Sequence, residues 1–251
     1  MAQQKGILPL KGTIGNITFY KSKDGYLARE KGSLNAERIA NDPSFARTRE
    51  NGAEFGRAGQ AGKVLRTALR SLLLNTADSR MLSRLTRELM KVIQADAINE
   101  RGLRNVIDGE AELLEGFEFN ANSKLGTSLF APYTTTIDRV SGELSVSIPS
   151  FVPTNMVAAP SGATHFKLVS AGVEIDFENK TYVVAVADIN SLPMNSTPTA
   201  VVNISHQVTA NSTKPLFLAL GIEFYQEVNG NQYSLKNGAF NALALVKVNG
   251  G

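Results

Sequence analysis

A glycine-rich stretch that ends in Gly62-Lys63 is the part of the sequence closest to a nucleotide-binding motif. A Walker A loop has the spacing G-x-x-x-x-G-K-[ST], in which the lysine reaches the phosphate oxygens and the hydroxyl holds Mg²⁺. Here Arg57 occupies the first glycine position and Val64 occupies the hydroxyl position. The residues upstream are charged and do not read as the buried strand that precedes such a loop. We therefore expect no phosphate-binding loop at this place.

The other residues that could do chemistry form no recognisable catalytic or metal-binding set. His165 and His206 are the only histidines, and neither has a second ligand at metal-binding spacing. Glu174, Asp176 and Glu178 alternate along one face of a predicted strand. Such a row either binds a cation or forms a solvated sheet face, and we expect the solvated face. Cysteine is absent, which removes disulfides, thiolate metal sites and cysteine nucleophiles. We expect a protein that is not an enzyme and has no cofactor, metal or small-molecule substrate.

The glycines have instead the spacing of one helix face. Gly52, Gly56, Gly59 and Gly62 step by four, three and three residues. Each glycine inside a helix costs about 1 kcal/mol relative to alanine, so four of them require a compensating contact. Small residues at this spacing allow another backbone to approach closely. The face packs either on the protein's own helix or sheet or on another subunit, and a helix that breaks near Gly59 is a third alternative.

A β-hairpin and two helices are predicted to carry these residues. Residues 12–31 read as the hairpin, which is marginally stable alone and needs a surface to lie on. A helix over residues 43–74 begins at an Asp42 cap followed by proline, and a second helix covers residues 78–100. A connection at residues 75–77 makes the two helices a helical hairpin. The predicted subunit-packing residues are Gly52, Gly56, Gly59, Gly62, Phe55, Phe19 and Tyr26.

Basic residues recur along both predicted helices. Arg80, Arg84, Arg87 and Lys91 step by four, three and four residues, which places them on one flank. Such a flank either contacts phosphates or an acidic partner, or it is solvated and paired with acids such as Glu88 and Asp96. The predicted contact set for nucleic acid or an acidic partner is Lys63, Arg66, Arg70, Arg80, Arg84, Arg87 and Lys91.

The charge divides the chain into two parts of opposite sign. Residues 1–110 contain 19 Lys and Arg against 12 Asp and Glu, and residues 111–251 contain 7 against 11, which together give the net charge of +3. In the second part, short β-rich runs alternate with turn residues, and Asn229-Gly230 is the clearest hairpin signal. Predicted strands cover residues 133–138, 143–149, 164–170, 173–177, 181–188, 200–208, 215–228, 231–235 and 242–248.

This spacing predicts an antiparallel β-sandwich of roughly seven to nine strands. The expected fold class is α+β: an N-terminal β-hairpin and helical hairpin, followed by the sandwich. We place the first domain, a hairpin arm with a basic helical region, at residues 1–115. The sandwich domain then covers residues 116–251.

Three stretches resemble uncharacterised Bacteroidota proteins. The relevant sequences are KGTIGNITFYKSKDGYLAREKG, NDPSFARTRENGAEFGRAGQAGKVLR and LFLALGIEFYQEVNGNQYSLKNGAFNALALVKV. Those proteins begin with a G-x-x-G-N-[IV] hairpin and a polar helical segment and continue into a β-sandwich. The resemblance spans most of the chain and implies a two-part architecture and a bacterial or phage source. It implies no activity.

We expect a non-enzymatic structural subunit that assembles with copies of itself into a bacterial or phage-like particle, tube or filament. One alternative is a nucleic-acid-associated accessory protein that uses the arginine-rich helices, and another is a carbohydrate- or surface-binding module. The sequence contains no run of about 18 apolar residues and no signal-peptide pattern. We therefore predict no membrane span and a location in the cytoplasm or in an assembled particle.

Overall fold

The computed structural model describes residues 2–4, 9–31 and 36–251, and it confirms the α+β class. The chain forms two compact units, Met1–Arg49 and Glu50–Gly251. This division differs from the predicted boundary between residues 115 and 116, because the helices after residue 50 share a core with the β-rich region. Residues 5–8 and 32–35 of the predicted hairpin arm lie outside the described residues.

The first unit contains a four-stranded antiparallel sheet in the order β1-β4-β3-β2. The predicted hairpin is its central pair, whose register runs from Ile17↔Glu30 to Ser22↔Gly25. Among the described residues of this unit, Leu27 alone is buried. The strands are β1 (Ala2–Gln3), β2 (Gly12–Ile14), β3 (Ile17–Ser22) and β4 (Gly25–Glu30).

A short helix, α1 (Ala36–Asn41), and a 3-10 turn (Pro43–Phe45) follow the sheet. Asp42 caps this turn as the sequence predicts, because its Oδ1 accepts a hydrogen bond from the Ser44 amide at 2.9 Å. Proline at the next position has no N–H that would need a partner there. The local start signal is therefore realised at the predicted residue.

The next three helices are α2 (Ala46–Ala68), α3 (Arg70–Thr76) and α4 (Met81–Gln94). Helix α2 runs without a break through Gly59, and it ends one residue before Leu69. Helix α4 is shorter than its predicted range of 78–100. It ends near Asp96, whose carboxylate accepts hydrogen bonds from the Ile98 and Asn99 amides and so draws the chain out of the helix. None of the helices in the described ranges has the length and apolar character to span a bilayer.

The rest of the second unit is mainly β-structure, with a 3-10 turn (Ala111–Leu114) and the short helices α5 (Leu125–Ser128) and α6 (Pro153–Met156). The observed strands match the predicted positions closely, with two exceptions. The strand His165–Asp176 covers two predicted strands, and the short strand Leu192–Pro193 was not predicted. The strands are β5 (Thr134–Asp138), β6 (Glu143–Ile148), β7 (His165–Asp176), β8 (Thr181–Asp188), β9 (Leu192–Pro193), β10 (Val202–Gln207), β11 (Leu216–Val228), β12 (Asn231–Ser234) and β13 (Ala242–Asn249).

Strand β7 replaces two predicted strands that were separated at Ala171-Gly172. The glycine does not form a turn there. A Cβ at Gly172 would lie 2.6 Å from the Cβ of His206 on the facing sheet, so the glycine allows the two sheets to approach closely. A sequence reading that treats glycine as a turn signal misplaces this one, because its partner is distant along the chain.

The β-strands of the second unit form two sheets. In the six-stranded sheet, β11 pairs with β7 on one side and with β13 and β12 on the other, and β8 and β9 pair with the far edge of β7. The smaller sheet has the order β10-β6-β5. All of these pairs are antiparallel, as the sequence predicts.

The central sheet is covered on both faces. Along β7, Val169, Ala171, Val173 and Ile175 belong to an apolar core that also includes residues of α2 and α4. Phe166 and Leu168 alternate with them and belong to a second core, shared with the three-stranded sheet. Because side chains alternate along a strand, one sheet supplies both cores. The second unit is therefore a helix layer on a two-sheet sandwich.

Candidate functional site

A groove of about 910 Å³ lies between the exposed sides of α2 and α4. Helix α2 contributes Phe55 and Gly59, which the sequence predicts as packing residues. Helix α4 contributes Leu82 and Met90. The groove therefore brings predicted packing residues next to apolar side chains of the neighbouring helix.

The groove is open because each helix turns another face towards the core. On α2, Ala58, Ala61 and Leu65 are buried, and they share a core with Leu85 and Leu89 of α4. The side chains between these positions remain outside. Phe55 is 60% exposed and Leu82 is 50% exposed, so two large apolar side chains face solvent in one groove. A contiguous exposed apolar surface of this kind is typical of an interaction site.

The four glycines fall into two groups. Apart from the helix's own backbone, a Cβ built at Gly52, Gly56 or Gly59 would have no atom of the described residues within 4 Å. At Gly62 the same Cβ would lie 3.1 Å from Cδ1 of Leu89. Packing within the subunit therefore accounts for Gly62, whereas the other three glycines present bare backbone to open space.

Cations surround the groove. Lys63, Arg66 and Arg87 line it, and Arg66 also lines a neighbouring hollow of about 320 Å³ together with Arg70. Leu74, which is 74% exposed, lies in that second hollow. Of the described residues that line the two hollows, none is Asp or Glu. The surface therefore combines apolar side chains with positive charge.

Arg84 belongs to an internal network instead of the exposed set. Its guanidinium donates to the carbonyl oxygens of Glu118 at 2.6 Å and Phe119 at 3.2 Å, and it forms an ion pair with Asp78. It also lies over the Phe117 ring, 5.3 Å from the centroid. Burial raises the pKa of Asp78, but hydrogen bonds from Ala121, Arg80 and Arg84 outweigh this and leave the pKa below its usual value. Arg84 thus connects α4 to residues 117–119.

The remaining basic residues of α4 differ in their surroundings. Arg87 and Lys91 share Glu88, at 3.0 Å and 2.5 Å, and these contacts lower the pKa of that carboxylate. The pairing with Glu88 is the one anticipated for a solvated flank. Arg80 is exposed at the start of the helix. Asp96, the other anticipated partner, accepts amide hydrogen bonds from its own loop instead.

A polar tether holds the N-terminal part of α2 in place. The Glu54 carboxylate is 1% exposed, and it accepts hydrogen bonds from the Gly102 amide at 2.8 Å and from Arg104 at 2.8 Å and 3.1 Å. Arg57 donates to the carbonyl oxygens of Gly102 and Arg104. Burial raises the pKa of Glu54, but the hydrogen bonds from Arg104 and the Gly102 amide outweigh this and keep the pKa below its usual value. The open face of α2 is therefore fixed in position.

Two of these features were missed in the sequence. Helical spacing predicts Leu82 in one apolar stripe of α4 with Met81 and Leu85, but it lies at the edge of that stripe and faces the groove. Glu54 received no role, although it occupies the small-residue face of α2 together with Ala58 and Ala61. An acid on an otherwise apolar face indicates a buried partner, and this signal was available.

The other predicted packing residues lie in the first unit. Phe19 is opposite Ala28 in the β3–β4 pair, and Tyr26 is opposite Lys21. The Lys21 ammonium lies 5.6 Å from the centroid of the Tyr26 ring. Both aromatic residues are half-buried and lie on the same face of the sheet. They form a second apolar surface, which belongs to the first unit.

The contacts of His206 and Asp176 lie within the fold. His206 is buried with its Nε2 2.8 Å from Oγ of Ser170, which itself donates to the Ala219 carbonyl oxygen. Burial lowers the pKa of His206 and favours its neutral form. Asp176 pairs with Lys214 at 2.5 Å. Within the described ranges, no group of three or more metal-ligating side chains occurs.

The chain matches no family model, no curated protein and no solved structure. We therefore infer function from the groove and its charges. A surface with apolar side chains, bare helix backbone and an excess of positive charge can bind a chain that carries apolar side chains and negative charge.

Proposed function

We propose that the protein is a non-enzymatic structural subunit that assembles with copies of itself into a bacterial or phage-like particle, tube or filament. The observation that carries this proposal is the open surface of α2 and α4. Exposed Phe55 and Leu82 lie there beside Gly59, with cations along the rim.

The energetics of α2 favour a partner on its glycine face. Each interior glycine costs a helix about 1 kcal/mol relative to alanine. Gly52, Gly56 and Gly59 together cost about 3 kcal/mol on this scale, and among the described residues no atom outside the helix's own backbone lies within 4 Å of where their side chains would begin. A second backbone that packs closely against the bare face offsets this cost.

The exposed apolar side chains support the same conclusion. Burying one Phe or Leu side chain contributes about 1.5–3 kcal/mol. Phe55, Leu82 and Leu74 all remain exposed in the subunit. Burial of the three in one interface would supply a central apolar cluster, around which the basic residues form the polar rim that interfaces usually have.

The first unit gives independent support. A β-sheet is stable when at least one of its faces packs against another layer. The sheet of β1 to β4 buries one of its described residues, Leu27, while Phe19 and Tyr26 are half-covered. In the proposed assembly, a second copy of the chain supplies a layer for this sheet.

The oligomeric state of the full chain tests this proposal. Size-exclusion chromatography with light scattering and negative-stain microscopy should show assemblies larger than 27.0 kDa. Gly59→Leu should shift the protein towards the monomer, because it fills the open face without a clash inside the subunit. Ala53→Leu, at an exposed position on the same helix that does not line the groove, is the matched control and should assemble normally. A monodisperse 27.0 kDa wild-type protein at high concentration would overturn the proposal.

Nucleic-acid binding is the second candidate, because Lys63, Arg66 and Arg70 line two adjoining hollows without an acidic neighbour in the lining. Arg84 adds little to it, since its guanidinium is engaged within the subunit. Phosphate contacts make affinity fall steeply with salt. A titration of labelled duplex DNA at low and high salt should show that fall, and no binding at low salt would reject this candidate.

A further inference from the structure

The groove has a chemically matched partner surface on the same chain, which we call the acidic segment and define as residues 107–115. We infer that the groove of one copy binds the acidic segment of the next copy, so that subunits join head to tail. This inference rests on the proposed self-assembly and adds which two surfaces meet.

The groove contributes positive charge that the subunit leaves largely unused. Lys63, Arg66 and Arg87 line it, and none of its described lining residues is acidic. Arg87 shares Glu88 with Lys91. Lys63 is exposed and, in the part of the chain that the structure describes, its ammonium has no ion-pair partner.

The acidic segment contributes the opposite charge together with apolar side chains. It contains four acids and no Lys or Arg. Ile107 is 47% exposed and Leu113 is 51% exposed, so the segment also presents two large apolar groups. The four acids are Asp108, Glu110, Glu112 and Glu115.

The fold holds this segment in one conformation. The 3-10 turn buries Ala111 and Leu114, which leaves Leu113 between them on the outside. Glu112 accepts a hydrogen bond from the Gly250 amide at 2.6 Å, and Glu115 accepts one from the Val248 amide at 3.2 Å. A rigid segment loses little conformational entropy when it binds, so its charges and apolar groups are presented ready for a partner.

The two surfaces match in composition. The groove offers Phe55 and Leu82 with cations around them, and the segment offers Ile107 and Leu113 with acids around them. Complementary charge steers association and disfavours wrong partners, while the apolar groups are buried at the centre of the contact. The acidic segment of a second copy is therefore a better match for the groove than the groove of that copy, because two grooves in contact would bring like charges together.

The groove and the acidic segment lie on different sides of α4, and this decides the kind of assembly. Gly109 lies against the carbonyl of Val92, a buried residue of α4. The groove is lined by Leu82 and Met90, which are on the exposed side of the same helix. Because two different surfaces meet, the contact is heterologous, and repetition produces a ring or an open filament.

A charge exchange tests the contact in the full chain. Lys63→Glu and Glu110→Lys each place like charges together, and both positions are exposed, so the subunit should fold in each variant. Each variant alone should associate about tenfold or more weakly than the wild type. A 1:1 mixture of the two variants, or the double variant Lys63→Glu/Glu110→Lys, should restore assembly, because every groove then meets a segment of opposite charge.

Light scattering at low and high salt provides the readout, and Glu178→Lys provides a control with the same charge change at another exposed acid. That control should assemble like the wild type. If the wild type assembles but the single variants assemble equally well, or the mixture fails to restore assembly, the contact is wrong while the proposed function stands. If the wild type is monomeric and Lys63→Glu abolishes DNA binding instead, both the contact and the proposed function are wrong.

Discussion

The two faces of α2 show what a helix face needs in order to be used within a subunit. On the core face, Ala58, Ala61 and Leu65 pack in the apolar core that lies between the helices and the central sheet. On the open face, a Cβ at Gly52 or Gly59 would have no atom of another described segment within 4 Å. Both faces are made largely of small residues at helical spacing. The difference therefore comes from the presence of a covering layer and not from residue size.

The open face is nevertheless held rigidly. The Glu54–Arg104 pair and the hydrogen bonds from Arg57 fix the N-terminal part of α2 against residues 100–105. The C-terminal part is fixed by apolar packing around Leu65. One helix is thus secured by a polar tether at one end and by a core at the other, which keeps the intervening bare surface in a defined geometry.

The largest expected loss of stability follows from breaking the Glu54–Arg104 pair. Arg104→Met leaves the Glu54 carboxylate buried without its countercharge, and an unpaired buried charge of this kind costs about 3–5 kcal/mol. Urea unfolding at pH 7 should show that loss. Arg101→Met is the matched control, because its partner Glu50 lies 3.5 Å away and is partly exposed, and it should change stability little. Equal losses for both variants would show that the tether does not hold the open face.

A smaller effect concerns the loop that carries the tether. Burial raises the pKa of Asp96, but hydrogen bonds from Asn99, Asn105 and Ile98 outweigh it and bring the pKa to about 2. Since the folded pKa lies below the unfolded value of 3.8, the stabilisation is present above about pH 4 and is lost as the pH falls towards 2.

Asp96→Asn should therefore lower the free energy of unfolding by about 2 kcal/mol at pH 7. The difference in the free energy of unfolding between the variant and the wild type should narrow between pH 4 and pH 2. Urea unfolding at a series of pH values measures it, with Asp24→Asn in the β3–β4 turn as a surface control. A difference that stays constant down to pH 2 would contradict the role of the charged carboxylate.

The smallest effect compares two glycines of α2 directly. Gly59→Ala should stabilise the monomer by about 1 kcal/mol, because alanine has a higher helix propensity than glycine and its Cβ disturbs no contact. Gly62→Ala should give no such gain, since its Cβ would lie 3.1 Å from Leu89 and the side chain must shift. Urea unfolding at concentrations that keep the protein monomeric distinguishes the two. The reverse order would show that the open face is covered within the subunit.

Much of the fold follows from short-range signals in the sequence. Asp42 and Pro43 start a helical turn where predicted, and Asn229-Gly230 forms the tight turn between β11 and β12 with positive φ at both residues. Caps and turns act over a few residues, so they can be read locally. The predictions for Gly172 and Leu82 were wrong. Gly172 is needed where β7 approaches His206 on another sheet, and Leu82 lines the groove because of where α2 lies.

The candidate site was predictable only in part. Helical spacing placed Gly52, Gly56 and Gly59 on one face, and the basic residues near them were visible in the sequence. Spacing could not separate Gly62 from the other three, because its neighbour Leu89 lies on a different helix. It also could not separate Arg84 from Arg87, since the carbonyl oxygens that bind Arg84 come from residues 118 and 119.

The sequence by itself determined which residues share a face, because the periods of helices and strands are fixed by backbone geometry. It also determined the uneven charge and the absence of cysteine chemistry. Only the tertiary structure decided which faces are covered, because burial depends on contacts between residues far apart in the chain. That is why Phe55 and Gly59 of α2 line an open groove that also contains cations, and why we propose the acidic segment as its partner.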